Sequence, residues 1–162
     1  MPAEVTNIVI AGLGGQGVLK ASDVLGDALV RSGHDVKKSE VHGMAQRGGS
    51  VQSDIRFGPR VFSPMVPAGE ADYLVVLAED QVEVHRHLLR PGGLIITPAA
   101  VSPEELPSRK SLNVALLGTL SAHLDVPESH WREALRAQFP ETWFDANCRA
   151  FALGRAGAGP AA

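Results

Sequence analysis

Short apolar runs and amphipathic stretches alternate along the first hundred residues. "TNIVIAG" is rich in β-branched residues and closed by glycine, the pattern of a buried strand. "VLKASDVLGDALVRSG" then puts Val18, Ala21, Leu25, Ala28 and Leu29 at helical spacing, with Gly33 as a stop signal. "HDVKKSE" gives a weaker strand pattern. In "SVQSDIRFG", Val51, Ser53, Ile55 and Phe57 alternate with Gln52, Asp54 and Arg56, which predicts a half-exposed strand with the polar set outward. "ADYLVVLAED" predicts a buried strand. "EDQVEVHRHLLRPGG" predicts a helix stopped by Pro91 and the glycines, and "GLIITP" a further buried strand cut by Pro98.

Beyond Pro98 the strand pattern stops. Ser102-Pro103-Glu104-Glu105 has the form of a helix start. Leu112, Leu116, Leu117, Leu120 and Leu124 form one apolar stripe, "VPESHWREALRAQF" a second amphipathic helix, and about 142–153 a third. This order predicts a Rossmann-like, three-layer α/β domain. Its sheet is mostly parallel, and its C-terminal helical segment packs on the sheet or on a partner. One domain is expected over 1–155, with a frayed Gly/Ala/Pro-rich tail over 156–162.

Composition narrows the function classes. The chain has 162 residues, 44% hydrophobic and 20% charged, as soluble globular proteins do. A net charge of -3 gives no footprint for nucleic-acid binding. Cys148 is the single cysteine, so no internal disulfide forms, which fits a reducing compartment. The opening residues lack a leader pattern and no run is long enough to span a membrane, so a cytoplasmic location is expected. Locally the charge is uneven. Arg31 to Arg60 holds six basic and three acidic residues, and Gly69 to Glu83 five acidic and none basic. Two solvated faces, or a basic edge for an anionic ligand or partner, both fit.

Gly12-Leu13-Gly14-Gly15-Gln16-Gly17 matches G-x-G-x-x-G between a strand and a helix, the context the motif requires. Glycines let a backbone approach a ligand closely, and the helix offers free N–H groups and a positive dipole end to a phosphate. A nicotinamide dinucleotide site also needs an acid at the end of the second strand. Glu40 is the available residue, but it lies late and heads an unusual stretch, "EVHGMAQRGGSVQSDIRFG", which is too polar for a core strand and too glycine-rich for a helix.

Taken together, "AGLGGQGVLKASDVLGDAL", "KKSEVHGMAQRGGSVQSDIRFG" and "VFSPMVPAGEADYLVVL" resemble the gamma-type domain of the 2-oxoacid:ferredoxin oxidoreductases. Within that family the chain is most similar to the small (beta) subunits of the indolepyruvate branch. The resemblance is close from Asn7 to Pro98 and looser beyond. It implies a chain that is inactive alone. It would serve a complex that oxidatively decarboxylates a 2-oxoacid, passes electrons to ferredoxin and forms an acyl-CoA. Thiamine diphosphate, magnesium and the 4Fe-4S clusters are then expected in a large (alpha) partner subunit and not in this chain. One cysteine cannot ligate a cluster. The resemblance also associates the domain with coenzyme A. It makes Gly12, Gly14, Gly15, Gln16 and Gly17 candidates for the nucleotide or pyrophosphate portion of CoA.

The stretch from Glu40 then has a role as an interface or active-site loop: Glu40, His42, Gly43, Met44, Gln46, Arg47, Gly48, Gly49 and Ser50. Arg47 offers a planar fork for a carboxylate or phosphate, and His42 a proton near neutral pH. No residue is assigned a catalytic role and no metal site is expected in the chain. His85 and His87, two apart on a helix, do not share a face. Cys148 reads as a small buried hydrophobe, and Trp131, Phe139, Trp143 and Phe144 as core or as a partner contact. The isolated chain is open to pairing with itself through the surface its partner would cover. The alternatives are a stand-alone NAD(P)-binding oxidoreductase or nucleotide-binding protein, and a structural subunit without ligand contact.

Overall fold

Thr6–Leu13 (β1) is buried along nearly its whole length, as a strand with neighbours on both sides and cover on both faces must be. The computed structural model describes residues 4–42 and 49–158, with only the backbone of His42. Val18–Arg31 (α1) follows β1, then Asp35–His42 (β2), Ser50–Gly58 (β3) and Ala71–Val76 (β4). A short irregular helix has Val82–His85 (α2) as its middle turn, and Leu89–Ile96 (β5) completes a five-stranded sheet. Leu112–Ser121 (α3), Glu128–Gln138 (α4) and Phe144–Gly157 (α5) end the chain.

The sheet order is β2-β3-β1-β4-β5. β1, β4 and β5 are parallel, and β3 runs antiparallel to both β1 and β2, so the sheet is mixed and mostly parallel. Inserting β3 between β1 and β2 separates two strands that a dinucleotide-binding unit keeps adjacent.

The faces are unequally covered. Ile8, Ile10, Ile55, Phe57, Val75 and Ile96 point into one large core with α1 and α3. α4 packs on α1, and α5 on α3. α3 is therefore covered on both sides, which explains why all of its residues from Asn113 to Ser121 are buried. The opposite face carries a smaller core built on Val9, Ala11, Leu74 and Val76. The irregular helix and the connection between β3 and β4 cover it.

Several boundaries differ from expectation. Ser102–Glu105 starts no long helix and gives a single 3-10 turn, Pro103–Glu105. β5 begins at Leu89, so Pro91 and Gly92 lie within it, where a strand at the sheet edge tolerates them. α5 runs to Gly157, two residues into the expected tail, and 159–162 lie outside the described residues. Asp54 was expected outward and is only 2% exposed. The β3–β4 connection folds over it. The Val66 N–H donates to its Oδ2 at 2.9 Å, and Gln52 Nε2 donates to its Oδ1 at 2.8 Å.

Candidate functional site

At the carboxyl ends of β1 and β4 the chain turns sharply into α1. Gly15 and Gly17 have φ of 87° and 81°, the left-handed region that glycine enters without a steric penalty. Gly17 is the N-cap of α1, and a β-carbon there would meet the Asn113 amide at 2.5 Å. Asn113 donates from Nδ2 to the Gly17 carbonyl at 3.2 Å, tying the loop to the start of α3.

Gln16 holds the loop from within. Its Oε1 accepts from the Leu13 N–H at 2.7 Å, and its Nε2 donates to the Leu77 carbonyl at 3.3 Å, just past β4. The amide therefore bonds backbone at both ends and braces the turn that a ligand would meet. Gly12 is packed shut: a β-carbon there would lie 2.8 Å from Gln16 Oε1. Gly15 faces open space.

Beside this loop lies a cleft of about 490 Å³, bounded by Gly15, Gln16, Leu77 and Asn113 and carrying Lys20, Arg109 and Lys110. Lys20 is on the first turns of α1. Its ammonium donates to the Gln138 carbonyl at 3.1 Å and sits 5.7 Å from the centre of the Phe139 ring. Arg109 and Lys110 are held by a 3-10 turn closed at Ser108. The Ser108 Oγ accepts from the Lys110 N–H at 3.2 Å, and the Ser108 N–H donates to Ser111 Oγ at 3.3 Å. Three cations and the N-terminus of α1 thus converge beside the glycine loop, an electrostatic setting for a phosphate or pyrophosphate.

These cations were not legible as a group, because they come from segments about ninety residues apart. Among the described residues of the basic run Arg31–Arg60, several cations are engaged within the chain. Arg31 pairs with Asp27, Lys37 with Asp35 and Lys38 with Asp23, while Arg56 bonds Asn7 Oδ1 and the Ser63 carbonyl.

The described residues of the stretch from Glu40 to Gly58 are mostly strand rather than loop. Glu40, Val41 and His42 continue β2, and Ser50 opens β3. Glu40 pairs in register with Ser53 on an edge strand, with β3 between it and β1. It does not border the glycine loop, so the dinucleotide alternative has no support in the sheet. Gly43, Met44, Gln46, Arg47 and Gly48 lie outside the described residues. Past them, the Gly49 carbonyl accepts from the Gly14 N–H at 2.9 Å, which joins the hairpin to the glycine loop. On the opposite face Ser50 Oγ lies 3.4 Å from Nε2 of the buried His85, whose Nδ1 donates to the Gln81 carbonyl at 2.9 Å. Among the described residues no cluster of three His, Cys, Asp or Glu could hold a metal ion, and no helix is long and apolar enough to cross a membrane.

Trp131 and Phe144 are buried, Phe139 packs against the core, and Trp143 is 45% exposed, so the late aromatic cluster divides between core and surface. Cys148 is partly buried, and desolvation pushes its thiol pKa up, away from nucleophilic chemistry.

Residues 7–112 match the family described as pyruvate ferredoxin/flavodoxin oxidoreductase. This chain belongs to that family. Among its relatives, indolepyruvate oxidoreductase subunit IorB of Thermococcus kodakarensis is 36% identical, covering 91% of this chain and 93% of that protein. The keto/oxoacid ferredoxin oxidoreductase gamma subunit of Geobacter sulfurreducens shares the fold, with a TM-score of 0.78 at 20% identity over 96% of this chain and 97% of that one. The 2-oxoglutarate:ferredoxin oxidoreductase of Magnetococcus marinus, solved with 2-oxoglutarate, coenzyme A and succinyl-CoA bound, superposes with a TM-score of 0.77 at 21% identity. There 96% of this chain matches 31% of a longer one. The same fold thus occurs both in a chain of similar length and as part of a longer one.

Proposed function

We propose that this chain is the small subunit of an indolepyruvate (arylpyruvate) ferredoxin oxidoreductase, and that its glycine-loop cleft binds the diphosphate of coenzyme A. The observation that carries the subunit reading is the near end-to-end similarity to IorB. The diphosphate reading is supported by Lys20, Arg109 and Lys110 beside the open backbone at Gly15. In this reading Gly14, Gly15 and Gly17 approach the phosphates, and Gln16 fixes the loop that presents them. Gly12 gives Gln16 room.

Thiamine diphosphate, its magnesium and the 4Fe-4S clusters belong to a larger partner in the same cytoplasmic complex, with ferredoxin as electron acceptor. Thiamine diphosphate supplies the carbanion chemistry of decarboxylation. The chain's own residues hold CoA by its charged end, leaving the thiol free to reach the partner's site. The hairpin at 40–50 contacts that partner near the mouth of its site, and Arg47 is the residue proposed to bond it.

The test is anaerobic co-purification from native cells, followed by turnover with aryl pyruvates. A large companion carrying thiamine diphosphate and iron–sulfur clusters, with CoA-dependent ferredoxin reduction, is the expected result. A chain that purifies alone with a bound nicotinamide nucleotide overturns the proposal.

A further inference from the structure

The two edges of the sheet are unlike. β5 closes one, and Pro91, Gly92, Gly93 and a register shift against β4 interrupt it. β2 closes the other. It runs from Asp35 to His42 in unbroken register with β3 and contains no proline. Among the described residues no strand lies beside its outer edge, and such an edge accepts a further strand. Lysines commonly guard an edge by their charge. Here that charge is met within the chain, because Lys37 pairs with Asp35 at 3.0 Å and Lys38 with Asp23 at 2.6 Å.

The sequence DVKKSEVH selects one register for a second copy of the strand. Facing residues of an antiparallel pair share a side of the sheet, and side chains alternate along a strand. Two copies related by a two-fold axis therefore pair with one residue on the axis. An axis at Lys37 or Lys38 sets two ammonium groups face to face, and one at Glu40 two carboxylates, which is unfavourable. An axis at Val36 or Val41 pairs only the end of the strand. An axis at Ser39 joins Lys38 to Glu40 of the second copy twice, once on each side, and pairs the backbone from Val36 to His42. Lys37 then lies over Val41 of the second copy, and its methylenes cover a valine that is 45% exposed in the single chain.

The surroundings of β2 agree with this axis. Val36 packs against the larger core and Lys38 reaches Asp23 of α1, so Val36, Lys38 and Glu40 are on the α1 side. On that side an open groove of about 590 Å³ runs between α1 and β2, with Asp23, Gly26 and Val30 on one wall and Val36 and Lys38 on the other. Val30 is 60% exposed. Two-fold pairing puts both grooves on the same side of the joined sheet, one on each side of the axis.

We infer that the outer edge of β2 is a self-association surface, on which a second copy of this chain adds its own β2 antiparallel and centred on Ser39. The two five-stranded sheets then become one. The pairing stands whether or not the glycine cleft binds CoA. Its paired residues end at His42, which leaves 43–50 for the large partner.

The experiment follows sedimentation of the full chain, with each cysteine variant also carrying Cys148→Ser. The wild type sediments as a dimer. Glu40→Lys sets like charges opposite each other on both sides of the axis and raises the dimer dissociation constant about tenfold, and adding Lys38→Gln recovers most of the loss. Ser39→Cys puts two thiols across the axis within disulfide reach, so oxidation links two copies, whereas Lys37→Cys faces Val41 and forms no link. A chain that stays monomeric overturns the inference. So does a dimer that Glu40→Lys leaves unchanged, or one that Lys37→Cys links as fast as Ser39→Cys, because it forms through another surface. In the purified complex, a link from Ser39→Cys to the large partner and not to a second copy also overturns it.

Discussion

Gly118 of α3 and Gly154 of α5 lie against each other's helix with no room for a side chain on either. A β-carbon on Gly118 would strike the Phe151 carbonyl, and one on Gly154 the Ala115 carbonyl. Thr119 Oγ1 fastens the same crossing by donating to the Gly154 carbonyl at 3.1 Å. Backbone meets backbone here, so no rotamer change relieves an added methyl. Gly118→Ala and Gly154→Ala are each expected to destabilise the fold by about 1–3 kcal/mol, measured by urea unfolding. The double variant should cost less than the sum, because one helix displacement relieves both clashes. Gly26→Ala in α1 is the control. Its β-carbon meets the flexible Lys38 methylenes at 3.3 Å, and it should be neutral or gain up to about 1 kcal/mol. Equal losses at all three positions would refute the close-packing account.

Gln16→Leu removes both bonds that hold the glycine loop to the backbone of Leu13 and Leu77. A loss of about 1–3 kcal/mol is expected, together with a raised KM for CoA in the assembled enzyme. A raised KM with no change in stability would mean that the amide acts on the ligand and not on the loop.

Replacing Lys20, Arg109 and Lys110 by alanine together should raise the KM for CoA steeply, and most at low ionic strength, where screening is weakest. The unfolding midpoint should barely move. If the increase is independent of salt, the cleft does not work through charge.

Asp54→Ala leaves the Val66 N–H without its acceptor under a buried connection. About 1–3 kcal/mol of stability should be lost. Hydrogen exchange at Val66 reads the local effect and should accelerate more than exchange in β1.

The Asp35 carboxylate accepts from the Val61 N–H and from Lys37, and the Val61 bond is the larger cause holding its pKa below the ordinary value. Because the folded pKa is depressed, the associated stability is present above the unfolded pKa and is lost as pH falls through the folded one. Asp35→Asn should lower stability at neutral pH and flatten the acid limb of the profile, with stability at low pH little changed. An unchanged acid limb would show that the carboxylate does not contribute.

β1, α1, β4 and α4 were readable from hydrophobic period because each has one dominant burial environment. The strand β3 was readable as a strand and misread in its polar face. Alternation reports which residues share a side, but not that a later connection will cover Asp54. The position of β3 between β1 and β2 could not be read, since pairing partners leave no local periodicity. The glycine motif located its turn, whereas Lys20, Arg109 and Lys110 meet only through tertiary packing. The motif residue Gln16 was legible by position, yet its bonds to Leu13 and Leu77 depend on where β4 ends.

The placement of β3 also bears on how the chain folds. β2 and β3 are neighbours in sequence and close a local hairpin, on a timescale of microseconds for such elements. β1 precedes β3 by some forty residues and gains a partner on this side only when β3 arrives, a slower long-range step. The Gly14–Gly49 bond forms at that docking. Substitutions that weaken the β2–β3 pairing should therefore slow folding, while substitutions at the α3–α5 crossing should mainly hasten unfolding.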